Sequence, residues 1–209
     1  MPEAASPSGV IAIVRLRREQ AVDEIVEALH AGGVRAIEVT IDSPGALDAV
    51  RRWRERDQAL VGVGTVRTAD QARAAIDAGA QFLVTPTTMA PVLEVADRAG
   101  VPIAAGALTP TEIDTAWQHG ATAVKVFPVD TVGGPAYVRA VRAPLPDVPL
   151  VPTGGVDADA AHTYAAMNCT GVGVGSALVD ESTVASGDWA ELRRRAEALT
   201  TAWSEGQAG

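Results

Sequence analysis

The chain has 209 residues, 47% of them hydrophobic. That is enough to bury one substantial core, so a single domain spanning 1–209 is expected. A net charge of −9 excludes a basic footprint for nucleic acid or for an anionic membrane surface, so any anion must be held by local groups. The one cysteine, Cys169, cannot form an internal disulfide. Met1 to Ser8 has neither the basic segment nor the apolar run of a secretory signal, and no apolar stretch reaches spanning length. A soluble protein of the reducing cytoplasm is therefore expected.

Taken in chain order, short apolar runs recur at Val10 to Val14, Ala36 to Val39, Leu60 to Val63, Phe82 to Val84, Val101 to Ala104, Ala123 to Phe127, Val148 to Val151 and Gly171 to Val174. Helical spacing fills the gaps over Ala21 to Leu29, Pro44 to Arg54, Ala69 to Ile76, Pro91 to Ala99 and Pro110 to Trp117. Pro44, Pro91 and Pro110 suit first turns, and Gly32, Gly79, Gly100 and Gly120 suit helix ends. Continuously apolar strands alternating with helices read as a fully covered parallel sheet, since only burial on both faces tolerates runs without polar alternation. The expected α/β fold is a (β/α)8 TIM barrel. An open doubly wound sheet is the weaker alternative, because Val14-Arg15-Leu16-Arg17 stands where a Gly-x-Gly-x-x-Gly would follow the first strand.

Barrel sites lie at the C-terminal ends of the strands, which directs attention to Arg15, Glu38, Thr65, Thr85, Gly106, Lys125, Thr153 and Gly175. Lys125 is the sole lysine among 17 lysine and arginine residues. Within an apolar strand an ammonium loses hydration and its pKa falls, leaving an amine that can attack a carbonyl; arginine cannot do this. The competing reading is a lysine that snorkels or pairs with a carboxylate. Glu38 lies between Ile37 and Val39, where desolvation raises a carboxyl pKa toward the range useful for proton transfer; an ion pair with Lys125 is compatible with that role.

The turns Pro152-Thr153-Gly154-Gly155-Val156-Asp157 and Gly173-Val174-Gly175-Ser176 follow the seventh and eighth strands, where many barrels bind phosphate through backbone N–H groups and a helix N-terminus. Tight turns needing positive φ are the alternative. Arg15 can clamp a carboxylate in bidentate fashion, and Thr65 offers a hydroxyl beside glycine-freed backbone. His30, His119 and His162 fall in helical segments or at helix ends, which argues against a metal site. Trp53, Trp117, Trp189 and Trp203 read as packing residues.

In order and spacing, Gly33-Val34-Arg35-Ala36-Ile37-Glu38-Val39-Thr40, Val61-Gly62-Val63-Gly64-Thr65-Val66, Thr109-Pro110-Thr111-Glu112-Ile113, Val124-Lys125-Val126-Phe127-Pro128, Val151-Pro152-Thr153-Gly154-Gly155-Val156 and Gly173-Val174-Gly175-Ser176 resemble the 2-keto-3-deoxy-6-phosphogluconate and 4-hydroxy-2-oxoglutarate aldolases. The resemblance runs from about Val10 to Val179. It implies a class I, metal-independent, cofactor-free carbon–carbon lyase that is typically trimeric and acts on a small keto acid. It further implies Lys125 as the Schiff-base residue, Glu38 as general acid/base, carboxylate contacts at Thr65 and Thr153, and phosphate contacts at Gly154, Gly155, Gly175 and Ser176. Asp42 stands where the best-known phosphogluconate aldolases carry an arginine near the substrate carboxylate, and Arg15, present in other branches, can take over that role. Thr85-Pro86-Thr87 departs from a common Ser-Pro-Gly, and Gly134-Pro135-Ala136-Tyr137 resembles the phosphogalactonate branch, which leaves the C4 stereochemistry open. The rival readings are a sugar-phosphate isomerase or epimerase and a non-catalytic sugar-phosphate-binding barrel.

Overall fold

A computed structural model describes residues 6–17, 22–56 and 59–209. Its elements run β1 (Gly9–Val14), α1 (Val22–Ala31), β2 (Ala36–Thr40), α2 (Ala46–Trp53), β3 (Leu60–Gly64), α3 (Ala69–Asp77), β4 (Leu83–Val84), α4 (Ala90–Ala99), β5 (Ile103–Ala107), α5 (Pro110–Gln118) and β6 (Ala123–Val126). After a 3-10 turn at Asp130–Val132 come α6 (Gly134–Arg142), β7 (Leu150–Pro152), α7 (Ala158–Ala166), β8 (Gly171–Val174), α8 (Glu181–Ser186) and α9 (Trp189–Ala208). Ala21, expected to open the first helix, lies outside the described residues. α2 starts at Ala46 rather than at Pro44, because Gly45 takes a left-handed conformation that turns the chain into the helix.

All eight strands are parallel, in the order β7-β6-β5-β4-β3-β2-β1-β8. β7 and β8 meet at a single bridge, Thr153 to Gly173, so the sheet is a (β/α)8 barrel nearly closed on itself. The apolar runs divide as a buried parallel strand requires. One set of side chains packs outward beneath the helices, while Ile11, Ala36, Phe82, Val84, Ala104, Ala123 and Val151 form a separate interior cluster. Side chains alternate with period two. Two residues further along, toward the C-terminal end, Ile13, Glu38, Lys125 and Thr153 therefore form the next interior layer, and the apolar plug beneath closes it off from the other end. Among the described residues no helix is long and apolar enough to cross a membrane.

Candidate active site

The interior layer holds an ionisable pair. Lys125 on β6 and Glu38 on β2 are both buried, and Lys125 Nζ lies 3.9 Å from Glu38 Oε1. That is an ion-pair contact, too long for a direct hydrogen bond, and Glu38 Oε1 has no hydrogen-bond partner among the described residues. Burial raises the Glu38 pKa above its ordinary value near 4.5, with the charges of Lys125 and Arg15 pulling the other way. Ile11, Ile13, Val84, Ala104, Val151, Thr153 and Gly173 complete the walls of a cavity of about 10 Å³ beside the pair, roughly the room of one water molecule.

Backbone geometry keeps that pair clear. Gly64, at the end of β3, faces the Glu38 carboxylate so closely that a Cβ there would lie 2.6 Å from Oε1. Gly64→Ala is expected to push the carboxylate out of place; under the general acid/base role that the sequence resemblance implies for Glu38, this lowers kcat by ~10²-fold, the effect of a displacement on the order of 1 Å at a reacting group. The overpacking itself is expected to cost ~1–3 kcal/mol. Steady-state kinetics beside a thermal melt separates the two: unchanged turnover in the folded variant would mean that the position of Glu38 is not critical.

Above this layer the loops after β1, β2 and β3 are tied together. Arg15 Nη1 donates to Asp42 Oδ2 at 2.5 Å and Nη2 donates to Thr65 Oγ1 at 2.7 Å. Thr65 holds φ 59, a left-handed conformation unfavourable for a β-branched residue and costing ~1–3 kcal/mol. Leu16 N donates to the buried Ser43 hydroxyl, which also bonds Thr40 Oγ1. Asp42 thus holds Arg15 at the barrel mouth. Asp42 as a partner of Arg15 and Ser43 as a partner of Leu16 escaped the sequence reading, because contacts between loops of different strands leave no spacing signal.

Arg15 lines a cleft of about 380 Å³ together with Ile13, Leu16, Arg17, Gly175, Ser176, Val179, Asp180, Glu181 and Val184. Ile13 lines both this cleft and the inner cavity, so the two lie side by side. Gly175 and Ser176 thus join Arg15 here. Thr153 faces the inner cavity with Glu38 and Lys125, while Gly154 and Gly155 lie against Asp130. The N–H groups of Gly154, Gly155, Gly175 and Ser176 donate to no acceptor among the described residues. The structure alters one part of the anion-site expectation: the helix N-termini behind the two glycine turns are already capped, α7 by Asp157 and α8 by Asp180. Asp180 is held well below the carboxylate range by bonds from Ser182, Thr183 and Arg195. Turn N–H groups and nearby side chains, rather than helix ends, are left to meet an anion. Thr85, noted among the strand ends, accepts from Gly106 N and is internal to the mouth. His30, His119 and His162 lie on or at the ends of helices α1, α5 and α7.

With this geometry in hand, the family model for KDPG and KHG aldolase matches residues 3–195. The chain belongs to that family. The 2-dehydro-3-deoxy-phosphogluconate aldolase of Pseudomonas aeruginosa is 36% identical over 187 residues, covering 88% of this chain and 84% of that one. The KHG/KDPG aldolase of Escherichia coli K12 is 31% identical over 191 residues, covering 90% and 88%. The native KDPGal structure superposes with a TM-score of 0.88 at 30% identity over 96% of each chain. The KDPG aldolase of Legionella pneumophila, with pyruvate captured as a covalent carbinolamine, superposes with a TM-score of 0.82 at 27% identity, covering 93% of this chain and 95% of that one. As a member of this aldolase family the chain is a carbon–carbon lyase, and class I cleavage is the chemistry its relatives support.

Proposed function

We infer that this aldolase cleaves 2-keto-3-deoxy sugar acids to pyruvate and an aldehyde, with the 6-phosphates of gluconate or galactonate configuration as leading substrates. Lys125 is the nucleophile and Glu38 the general acid/base. The observation that carries this reading is the pair itself: the only lysine of the chain, 3.9 Å from a carboxylate, at the C-terminal end of a barrel interior. The Lys125 amine adds to the C2 ketone, and loss of water gives an iminium. Ionised Glu38 takes the C4 hydroxyl proton, directly or through one water. The C3–C4 bond then breaks, its electrons flow into the iminium to give an enamine, and the aldehyde leaves. Protonation at C3 and hydrolysis return pyruvate and the free amine. The route requires neither metal nor cofactor.

Arg15 and Thr65 are assigned to the keto-acid carboxylate with Thr153 beneath it, and Gly154, Gly155, Gly175 and Ser176 to the distal phosphate. We place the enzyme in the cytoplasm as a single domain over 1–209 that forms a homotrimer. The exposed Met89, Phe127 and Val132 on the loops after β4 and β6 supply apolar surface for such contacts, and light scattering checks the assembly. Pyruvate release, coupled to NADH oxidation, is expected from at least one of the gluconate and galactonate 6-phosphates and 4-hydroxy-2-oxoglutarate, with EDTA present. Isomerised substrate without pyruvate would favour the isomerase reading instead.

A further inference from the structure

The outer end of the cleft holds a cation that neither the glycine turns nor the catalytic pair explains. Among the charged groups lining it, Arg15 is matched by Asp42, and Asp180 is matched by Arg195 together with the N–H and hydroxyl groups of Ser182 and Thr183. Arg17 and Glu181 remain on the same walls, and among the described residues neither is in an ion pair. Arg17 thus lines the same cleft as Gly175 and Ser176, and Ile13 is shared by this cleft and the cavity that holds Lys125. A substrate whose keto group reaches Lys125 would extend its far end toward Ser176 and Arg17.

We propose that Arg17 is a specificity-determining residue that binds the terminal phosphate of the substrate together with the N–H groups of Gly175 and Ser176. The inference rests on the aldolase reading above and deepens it. The helix behind Ser176 is capped by its own Asp180, so neutral N–H donors alone would meet a phosphate dianion next to Glu181. An unmatched guanidinium offsets that carboxylate and adds charge-assisted hydrogen bonds. Without Arg17 the outer end of the cleft carries a net negative charge and repels a dianion. A substrate ending in a hydroxyl makes no such demand, so Arg17 separates phosphorylated from unphosphorylated keto acids.

The test is Arg17→Ala in the full chain, a change at an exposed position, assayed with 2-keto-3-deoxy-6-phosphogluconate and with its unphosphorylated counterpart. KM for the phosphorylated substrate should rise about tenfold, the loss of one charge-assisted hydrogen bond, while KM for the unphosphorylated one stays within about twofold. Glu181→Gln should lower KM for the phosphorylated substrate, and added inorganic phosphate should inhibit the wild type more strongly than Arg17→Ala. Equal KM changes for both substrates, or none for either, would overturn the role of Arg17. If the wild-type protein fails to trap pyruvate with borohydride, the aldolase reading itself is at fault, and the two failures are told apart.

Discussion

Incubated with pyruvate and borohydride, the wild-type protein is expected to gain the mass of one reduced pyruvyl group, and Lys125→Arg is expected to gain none and to lose turnover by several orders of magnitude. The effect is large because the guanidinium stays protonated and cannot attack a ketone. It is also specific, since the chain has no second lysine to take over the adduct. Intact-mass measurement reads the result directly, and peptide mapping places the modification on β6. An adduct that survives in Lys125→Arg would move the nucleophile elsewhere. Because Lys125 also faces Glu38, a thermal melt of the variant guards against a trivial loss of fold.

Glu38→Gln is expected to retain the pyruvate adduct while turnover falls by ~10²–10⁴-fold, the usual contribution of a positioned general acid/base. The pH dependence carries a second signature. Burial raises the Glu38 pKa, and a base must be ionised to work, so the acidic limb of kcat/KM lies above the ordinary carboxyl range and is absent from the residual activity of Glu38→Gln. Stability follows the same titration with its own sign. Below the unfolded value near 4.5 the carboxyl is protonated in both states and its contribution is fully present. As pH rises through the higher folded value, the buried group ionises and that contribution is lost. The melting temperature of Glu38→Gln should therefore gain on the wild type as pH rises from about 4.5 through the folded pKa. An acidic limb at an ordinary carboxyl pKa, persisting in Glu38→Gln, would remove Glu38 from the proton transfer.

The two residues with the largest expected effects were legible because each breaks a pattern that burial otherwise enforces. A parallel strand covered on both faces has no reason to carry an ionisable side chain, so Glu38 in Ala36–Thr40 and Lys125 in Ala123–Val126 stand out, each in the C-terminal part of the barrel interior. The strand runs were legible for the same reason. Their ends shifted where Pro102 supplies no N–H for the ladder, leaving β5 to begin at Ile103.

By itself, the amino-acid sequence determined the eight-unit barrel, the sole lysine, the buried acid and the glycine turns, because each is a local consequence of period, burial and backbone freedom. Only the tertiary structure decided that Asp42 and Thr65 hold Arg15, that Gly64 clears space for Glu38, and that Arg17 shares a cleft with Ser176. The physical reason is closure. Pairing β1 with β8 brings together loops that are far apart in sequence, and whether a charge is matched or left to meet a ligand depends on side-chain directions that neither spacing nor composition encodes.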